Sequence, residues 1–266
     1  MKSQTTLTKK ESYSISNSAE FDNLINILKH QIKLNKIASD IDKGKTIDFL
    51  NRKKLVSEFY GISQDIIDKL VKTSPEDRRS LCANAGINGY IFRTLFDYNS
   101  YQDCYHLYCY LAPKVDFLKI RLLDFGCMVS DYGFFFGNLG AVVTFCDFKE
   151  QADFADFRMS KADINRVKVY APTDYMEITK GQNLAVFGEV LEHLKDPLQM
   201  LQSCVENKVQ YIYTTCYPYG DDAYFRRSGH RLEAQEQSPQ SFELLRKHYE
   251  EVSFFKLRRL WVRKLL

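Results

Sequence analysis

The spacing of apolar residues changes near Ile120, and the change divides the chain into two kinds of segment. Ahead of it the spacing is helical. Phe21, Leu24, Ile25, Leu28 and Ile32 mark one face of an amphipathic helix over 18–42, with Lys and Asn on the other face. A second helix is expected over 47–60, stopping at Gly61, and a third near 63–71. Ser74-Pro75-Glu76-Asp77 reads as an N-cap, a proline at the first helical position and acids in the first turn. No alternating strand pattern stands out before Lys119, so the first 115 residues are expected to be mainly helical.

From Ile120 onward, short apolar runs alternate with helical segments. The expected strands cover 121–126, 141–147, 167–170, 184–187 and 209–215, with a helix over 197–206 between the last two. Such alternation indicates a parallel sheet with helices on both faces. A helix over 239–248 then leads to strands at 252–255 and 260–263. The link between those strands is too short for a crossover helix, so they should pair antiparallel.

Composition narrows the class. Apolar residues make up 45% and charged residues 27%, the values of an ordinary globular chain. The net charge of +3 is too small for a dedicated duplex binder, although Arg226-Arg227 and the run from Lys256 to Lys264 are basic. Seven cysteines, an odd number without any C-x-x-C pair, fit buried thiols in a reducing compartment better than a disulfide framework or a zinc site. Neither a signal peptide nor an apolar run of membrane-spanning length is seen, and a cytoplasmic location is expected on those grounds. The first residues are polar and rich in Ser, Thr and Lys. The expected organisation is a flexible tail over 1–18, a helical segment over 19–115 and an α/β domain over 116–266.

The candidate chemistry lies at the ends of the expected strands. Leu122-Leu123-Asp124-Phe125-Gly126-Cys127 is a strand that turns sharply at a glycine, where backbone without a Cβ can approach a ligand. Asp147 ends the next strand, where a carboxylate can accept from both ribose hydroxyls of an adenosine. Thr173-Asp174 follows the third strand, and its carboxylate could accept from an adenine amino group. Phe187-Gly188-Glu189-Val190-Leu191-Glu192-His193-Leu194-Lys195-Asp196-Pro197 follows the fourth. Each position also has a structural reading: Asp124 as a loop cap, Asp174 as a turn residue, Glu189 on a helix surface, His193 as a hydrogen-bonded structural histidine.

Together these residues resemble the class I S-adenosylmethionine-dependent methyltransferases over about Ile120 to Leu266. The stretch from Glu189 to Pro197 is similar to the post-strand motif of the ubiquinone-methyltransferase-like branch. So is His230 followed by Ser238-Pro239-Gln240-Ser241-Phe242. The resemblance implies a Rossmann-like sheet of seven strands ending in the antiparallel hairpin, with the helical segment in front acting as a lid. It implies S-adenosyl-L-methionine as cofactor, held by Asp124, Gly126, Cys127, Asp147, Phe148, Asp174, Tyr175 and Glu189. The loop departs from the family pattern of three alternate glycines, because Met128 and Ser130 occupy two of the places; their side chains could crowd the methionine moiety.

A nicotinamide cofactor fits less well. Its fingerprint asks for glycine where Met128 and Asp131 stand, and Asp131 would face a pyrophosphate with a like charge. A P-loop is excluded because no G-K-[ST] follows the glycine. His193 and His230 are the candidates for proton handling. Arg93, Tyr101 and Tyr105 are the candidates for acceptor binding. The expected activity is methyl transfer to a small molecule or a surface-glycan or nucleotide-linked precursor, at oxygen. A nucleic-acid methyltransferase and a non-catalytic module of the same fold are the alternatives, and Gly188-Glu189-Val190-Leu191 is not the Asn/Asp-Pro-Pro-Tyr signature of amino-directed DNA enzymes.

Overall fold

A computed structural model of the chain describes residues 51–94, 99–172, 174–218, 230–255 and 258–265. The helix expected over 18–42 and the 1–18 tail lie outside the described residues, as do Thr173 and Arg226-Arg227. Thr46–Leu266 forms one compact unit. No helix among the described residues is long and apolar enough to cross a membrane.

The helices ahead of the sheet are α1 over 51–60, α2 (Gln64–Lys72), α3 (Pro75–Asn84), α4 (Gly89–Thr94) and α5 (Asn99–Leu111). The α3 start follows from its sequence: the Ser74 hydroxyl accepts from the Asp77 N–H at 3.3 Å, one position beyond Pro75 and Glu76. The sheet begins with β1 (Arg121–Phe125), then α6 (Asp131–Gly137), β2 (Val142–Asp147), α7 (Lys149–Ser160), β3 (Arg166–Tyr170) and α8 (Tyr175–Thr179). It continues with β4 (Leu184–Phe187), α9 (Pro197–Glu206), β5 (Tyr211–Thr215), α10 (Leu232–His248), β6 (Tyr249–Phe255) and β7 (Arg258–Arg263).

The seven strands lie in the order β3-β2-β1-β4-β5-β7-β6, all parallel except β7, which runs antiparallel to both neighbours. This is the seven-stranded sheet with a final antiparallel hairpin that the resemblance implies. The order reverses between β1 and β4, the switch point where open α/β sheets bind ligands at the carboxyl ends of their strands. β4 and β5 are buried along their whole length, as expected of strands covered on both faces. β3 is an edge strand. Its Lys168 and Arg166 pair with Asp153 and Asp156 of α7, which places charge along the exposed edge.

Two apolar clusters hold the layers. One runs from Leu123 and Phe187 through Met200, Leu245 and Trp261, packing α9 and α10 on one face. The other joins Val56, Ile67, Leu70, Cys82, Ile91 and Phe92 from the leading helices to Val129 and Phe154. Those helices therefore share a core with the loop after β1 and with α7. α10 differs from expectation. It begins at Leu232 and keeps Pro239 inside, rather than starting there. Tertiary contacts outweigh the cost of an interior proline: Gln237 accepts from the Leu198 N–H at 3.1 Å and donates to the Lys195 carbonyl at 3.3 Å, and Ala234, Ser238, Ser241 and Leu245 are buried.

The two layers also share a charged centre. Asp131, the first residue of α6, accepts from Arg52 of α1 at 2.8 Å and from Arg158 of α7 at 2.7 Å. All three are nearly inaccessible to solvent. Burial pushes the Asp131 carboxyl up, but Arg52 and Arg158 outweigh it and hold the group below its ordinary value. Replacing Asp131 with Asn removes the carboxylate charge that two buried guanidinium groups share. Asp131→Asn should lower the unfolding free energy by about 3–5 kcal/mol, read from urea denaturation.

Candidate active site

The register brings the carboxyl ends of five strands level. Phe125 pairs with Cys146, Asp147 with Tyr170, and Phe187 with Thr214. The segments that leave these ends, 126–130, 148, 188–193 and 216, therefore lie along one rim.

The first of them is the loop between β1 and α6. Gly126, Met128 and Ser130 all have left-handed backbone, at φ of 66°, 48° and 54°. Two of the three are not glycine, and each such residue costs roughly 1–2 kcal/mol. What holds them there is a set of hydrogen bonds. Gly126 N and Cys127 N both donate to the Cys146 carbonyl, at 2.9 and 3.1 Å. The Met128 N–H donates to Asp147 Oδ2 at 2.8 Å. The Ser130 hydroxyl donates to Asp124 Oδ2 at 2.6 Å, and the Gly133 N–H meets the same oxygen at 3.0 Å. Arg158 reaches the Val129 carbonyl at 2.8 Å. The loop thus takes a three-glycine conformation with one glycine. Ser130 is fully buried and spends its hydroxyl on Asp124, so it does not project into the cleft; Met128 is half-buried.

Asp124 and Asp147 play different parts. Asp124 is buried at the end of β1, turned into the protein toward Ser130 and Gly133; burial pushes its carboxyl up to about 7 against those two bonds. Asp147 is half-exposed at the end of β2. Its Oδ1 accepts from the Phe148 N–H at 2.7 Å, and burial raises its carboxyl against the Met128 and Phe148 bonds. Phe148 is 71% exposed, an unusual position for a large ring. Cys127 is buried under the loop. Asp174 is exposed and caps α8, accepting from the Glu177 N–H at 3.1 Å. Tyr175 is half-buried and meets Phe125 edge to face.

Gly126 is a glycine for a local reason. Any Cβ there would stand 2.8 Å from Val190 Cβ, so the close neighbour is the chain's own post-β4 segment.

That segment departs from one expectation. Glu189 does not lie on the surface of a helix. Glu189 has left-handed backbone at φ 52°, residues 191–193 form a single 3-10 turn, and α9 starts only at Pro197. The Glu189 N–H donates to Thr215 Oγ1 at 2.7 Å, and its carboxylate is exposed beside Cys216. Glu192, which was not singled out from the sequence, is buried, and desolvation pushes its carboxyl up to about 8. His193 is exposed and His230 half-buried, with ring centroids 5.1 Å apart, edge to face. Burial lowers both imidazoles from the ordinary value. The two candidate histidines are thus neighbours.

The acceptor-side residues are less complete. The side chains of Arg93 and Tyr101 lie outside the described part of the chain. Tyr105 is half-buried on α5, interacting with Cys109 of the same helix. The same helix carries a residue that sequence reasoning passed over. Asp103 is buried, ion-paired to Arg258 at the start of β7, and it accepts from the Tyr132 hydroxyl at 3.3 Å. Tyr132 lies close to Gly188, where an added Cβ would stand 2.9 Å from its ring. The signal for Asp103 was a lone acid in the aromatic run Asn99-Ser100-Tyr101-Gln102-Asp103-Cys104-Tyr105.

No protein-family model matches the chain, and no curated protein matches it. Among solved structures it is similar to magnesium protoporphyrin IX methyltransferase (ChlM) from Synechocystis PCC 6803 with bound SAH, at 14% identity and a TM-score of 0.46, over 61% of this chain and 83% of that one. It is similar to the N-methyltransferase NodS from Bradyrhizobium japonicum WM9 in complex with S-adenosyl-L-homocysteine, at 18% identity and a TM-score of 0.43, over 62% of this chain and 87% of that one. Monomeric WbdD matches at 16% identity and a TM-score of 0.41, over 75% of this chain and 49% of its own.

Two outcomes follow from the geometry. Gly126→Ala should destabilise the fold and distort the loop, and adding Val190→Ala should recover part of the loss, read by thermal melting of the single and double variants. Burial holds the Asp103 carboxyl up at about 6 despite Arg258 and Tyr132, so the folded chain binds that proton more tightly than the unfolded chain does. Stability therefore falls as pH rises from about 4 to about 6, and Asp103→Asn should remove that part of the slope in urea titrations.

Proposed function

We propose that the chain is an S-adenosylmethionine-dependent methyltransferase whose cofactor lies across the carboxyl ends of β1 and β2. The observation that carries this is the Asp147 carboxylate. It sits half-exposed at the tip of β2, tied to the Met128 N–H of a loop with three left-handed residues, next to an exposed Phe148. A carboxylate so placed suits ribose hydroxyls, and the exposed ring suits an adenine face. Asp174, past the end of β3, is placed for the adenine amino group. The backbone of Gly126 and Cys127 lines the approach to the methionine portion.

Charge supports the same choice. Asp147 and Glu189 reach solvent along the rim, and the one acid at the start of α6 is already neutralised by two arginines. A pyrophosphate would meet this rim with like charge. A sulfonium with an ammonium group would meet it with opposite charge. When bound, S-adenosylmethionine supplies an electrophilic methyl group on sulfur.

The chain's own work is then alignment and proton handling. Well-oriented reactants gain roughly 7–11 kcal/mol from positioning. His193 and His230 stand beside the acceptor side of the rim, where removal of a hydroxyl proton contributes about 10²–10⁴-fold. The acceptor is a small hydroxylated molecule or a glycan or nucleotide-linked precursor. Arg93, Tyr101 and Tyr105 are the candidate acceptor-binding residues on the helices ahead of the sheet. The helices act as a lid fixed to the domain through Val129 and Phe154.

Isothermal calorimetry with S-adenosylhomocysteine tests the reading. One molecule per chain should bind, and Asp147→Ala should weaken it by about tenfold or more; the thermal midpoint should fall as well, because the Met128 N–H loses its acceptor. Absence of binding to the parent chain would sink the assignment.

A further inference from the structure

We propose that Arg258 anchors the methyl acceptor through a negatively charged oxygen group, a carboxylate or a phosphate. Binding of an oxyanion at Arg258 stands on the geometry; its part in holding the acceptor rests on the methyltransferase reading.

Arg258 opens β7 and pairs in register with Thr215, the last residue of β5. Thr215 belongs to the rim, because its hydroxyl accepts from the Glu189 N–H at 2.7 Å and Cys216 follows it directly. The antiparallel hairpin therefore delivers a cation to the carboxyl end of the sheet, on the β5 side. The expected ribose carboxylate, Asp147, ends β2, three strands away.

The guanidinium is held from one side and open on the other. Asp103 of α5 is buried and ion-paired to Arg258 at Nε. The second oxygen of Asp103 accepts from the Tyr132 hydroxyl at 3.3 Å, so the carboxylate is used on both sides and fixes the arginine in place. Tyr132 and Tyr213, with ring centroids 5.9 Å apart, lie close to the guanidinium within the protein. The Arg258 side chain is nonetheless 31% exposed, and its two Nη groups donate to no described residue. Other arginines of the sheet spend their forks inside the fold. Arg259 pairs its Nε with Glu251 at 3.0 Å and donates from Nη1 to the Pro218 carbonyl at 2.9 Å. Arg263 donates to the Val205 carbonyl at 3.0 Å, and Arg166 to Asp156 and the Ile164 carbonyl.

An arginine fork offers donors only, in a plane that matches the two oxygens of a carboxylate or phosphate. Its aromatic, largely dry backing strengthens that attraction relative to open water. The neighbouring groups do not compete for it. Burial and Arg258 both lower the His106 imidazole, which keeps it neutral, and burial with Glu189 pushes the Cys216 thiol up, which keeps it uncharged. Glu189 is the like charge that an anionic acceptor meets, and the sulfonium and ammonium of a bound S-adenosylmethionine answer it. The anchor thus selects, among small hydroxylated and nucleotide-linked acceptors, those that carry an acidic group.

The full chain with S-adenosylmethionine present is titrated with phenyl phosphate and with benzoate, and binding is read by saturation-transfer NMR against benzyl alcohol as the neutral control. At least one anion should bind more tightly than benzyl alcohol, and the tighter of the two identifies the group. Arg258→Gln and Arg258→Lys should each weaken that anion by about tenfold, the loss of at least one charge-assisted hydrogen bond, while S-adenosylhomocysteine affinity by calorimetry holds. Arg258→Lys keeps a positive charge beside Asp103 and guards against a fold defect in Arg258→Gln. The parent chain gives a further readout without any substitution. Phenylglyoxal should modify Arg258 more slowly when the anion is present and Arg259 at an unchanged rate, read by peptide mass spectrometry. If S-adenosylhomocysteine binds but neither anion outbinds benzyl alcohol, the anchor is overturned and the methyltransferase reading stands. Anion binding that both variants retain, with Arg258 modified at an unchanged rate, overturns it equally. Anion binding at Arg258 in a chain that fails to bind S-adenosylhomocysteine leaves the oxyanion site and removes its acceptor role.

Discussion

The site depends on one constraint: the segment from Gly126 to Ser130 must stay left-handed at alternate residues, though only the first is glycine. The backbone gains nothing by itself from this shape. Two carboxylates at the tips of neighbouring strands impose it, Asp147 on the Met128 amide and Asp124 on Ser130 and Gly133. Arg158 supports the loop from outside through the Val129 carbonyl. Each bond is modest, about 0.5–1.5 kcal/mol, or up to ~3 kcal/mol where a charge takes part. Together they exceed the strain of two non-glycine residues, at roughly 1–2 kcal/mol each.

This arrangement ties the leading helices to the loop. Arg158 bonds both Val129 and Asp131, and Asp131 bonds Arg52 of α1. The apolar cluster of α1–α4 includes Val129, a member of the same loop. A shift of α1 would therefore move a charged pair and an apolar contact that both end within the loop. The leading helices thus bear on the loop through a shared core and a buried ion pair.

Local features were legible in the sequence. The apolar runs gave the positions of β1, β2 and β4 to within a residue or two, and Ser74-Pro75 and Asp196-Pro197 marked helix starts that the structure keeps. The short link between the last two runs gave the hairpin. What escaped was set by residues far apart in the chain. Arg52 and Asp131, or Asp103 and Arg258, meet only when the leading helices close on the sheet. Pro239 marked a helix start by the local rule, yet contacts of α10 with residues 195–198 carry the helix through it. Met128 and Ser130 read as obstacles because side-chain size was visible in the sequence and backbone conformation was not.

The rim also explains why its acids can coexist. Asp131 is compensated within the protein by two arginines, whereas Arg258 offsets the burial of Asp103 only in part. Asp124 has no such partner among the described residues, and burial pushes its carboxyl to about 7; for Glu192 the value is about 8. Those two groups sit where charge is expensive and internal neutralisation is missing. A fold that needed them only for stability would be better served by amides, which bury at lower cost.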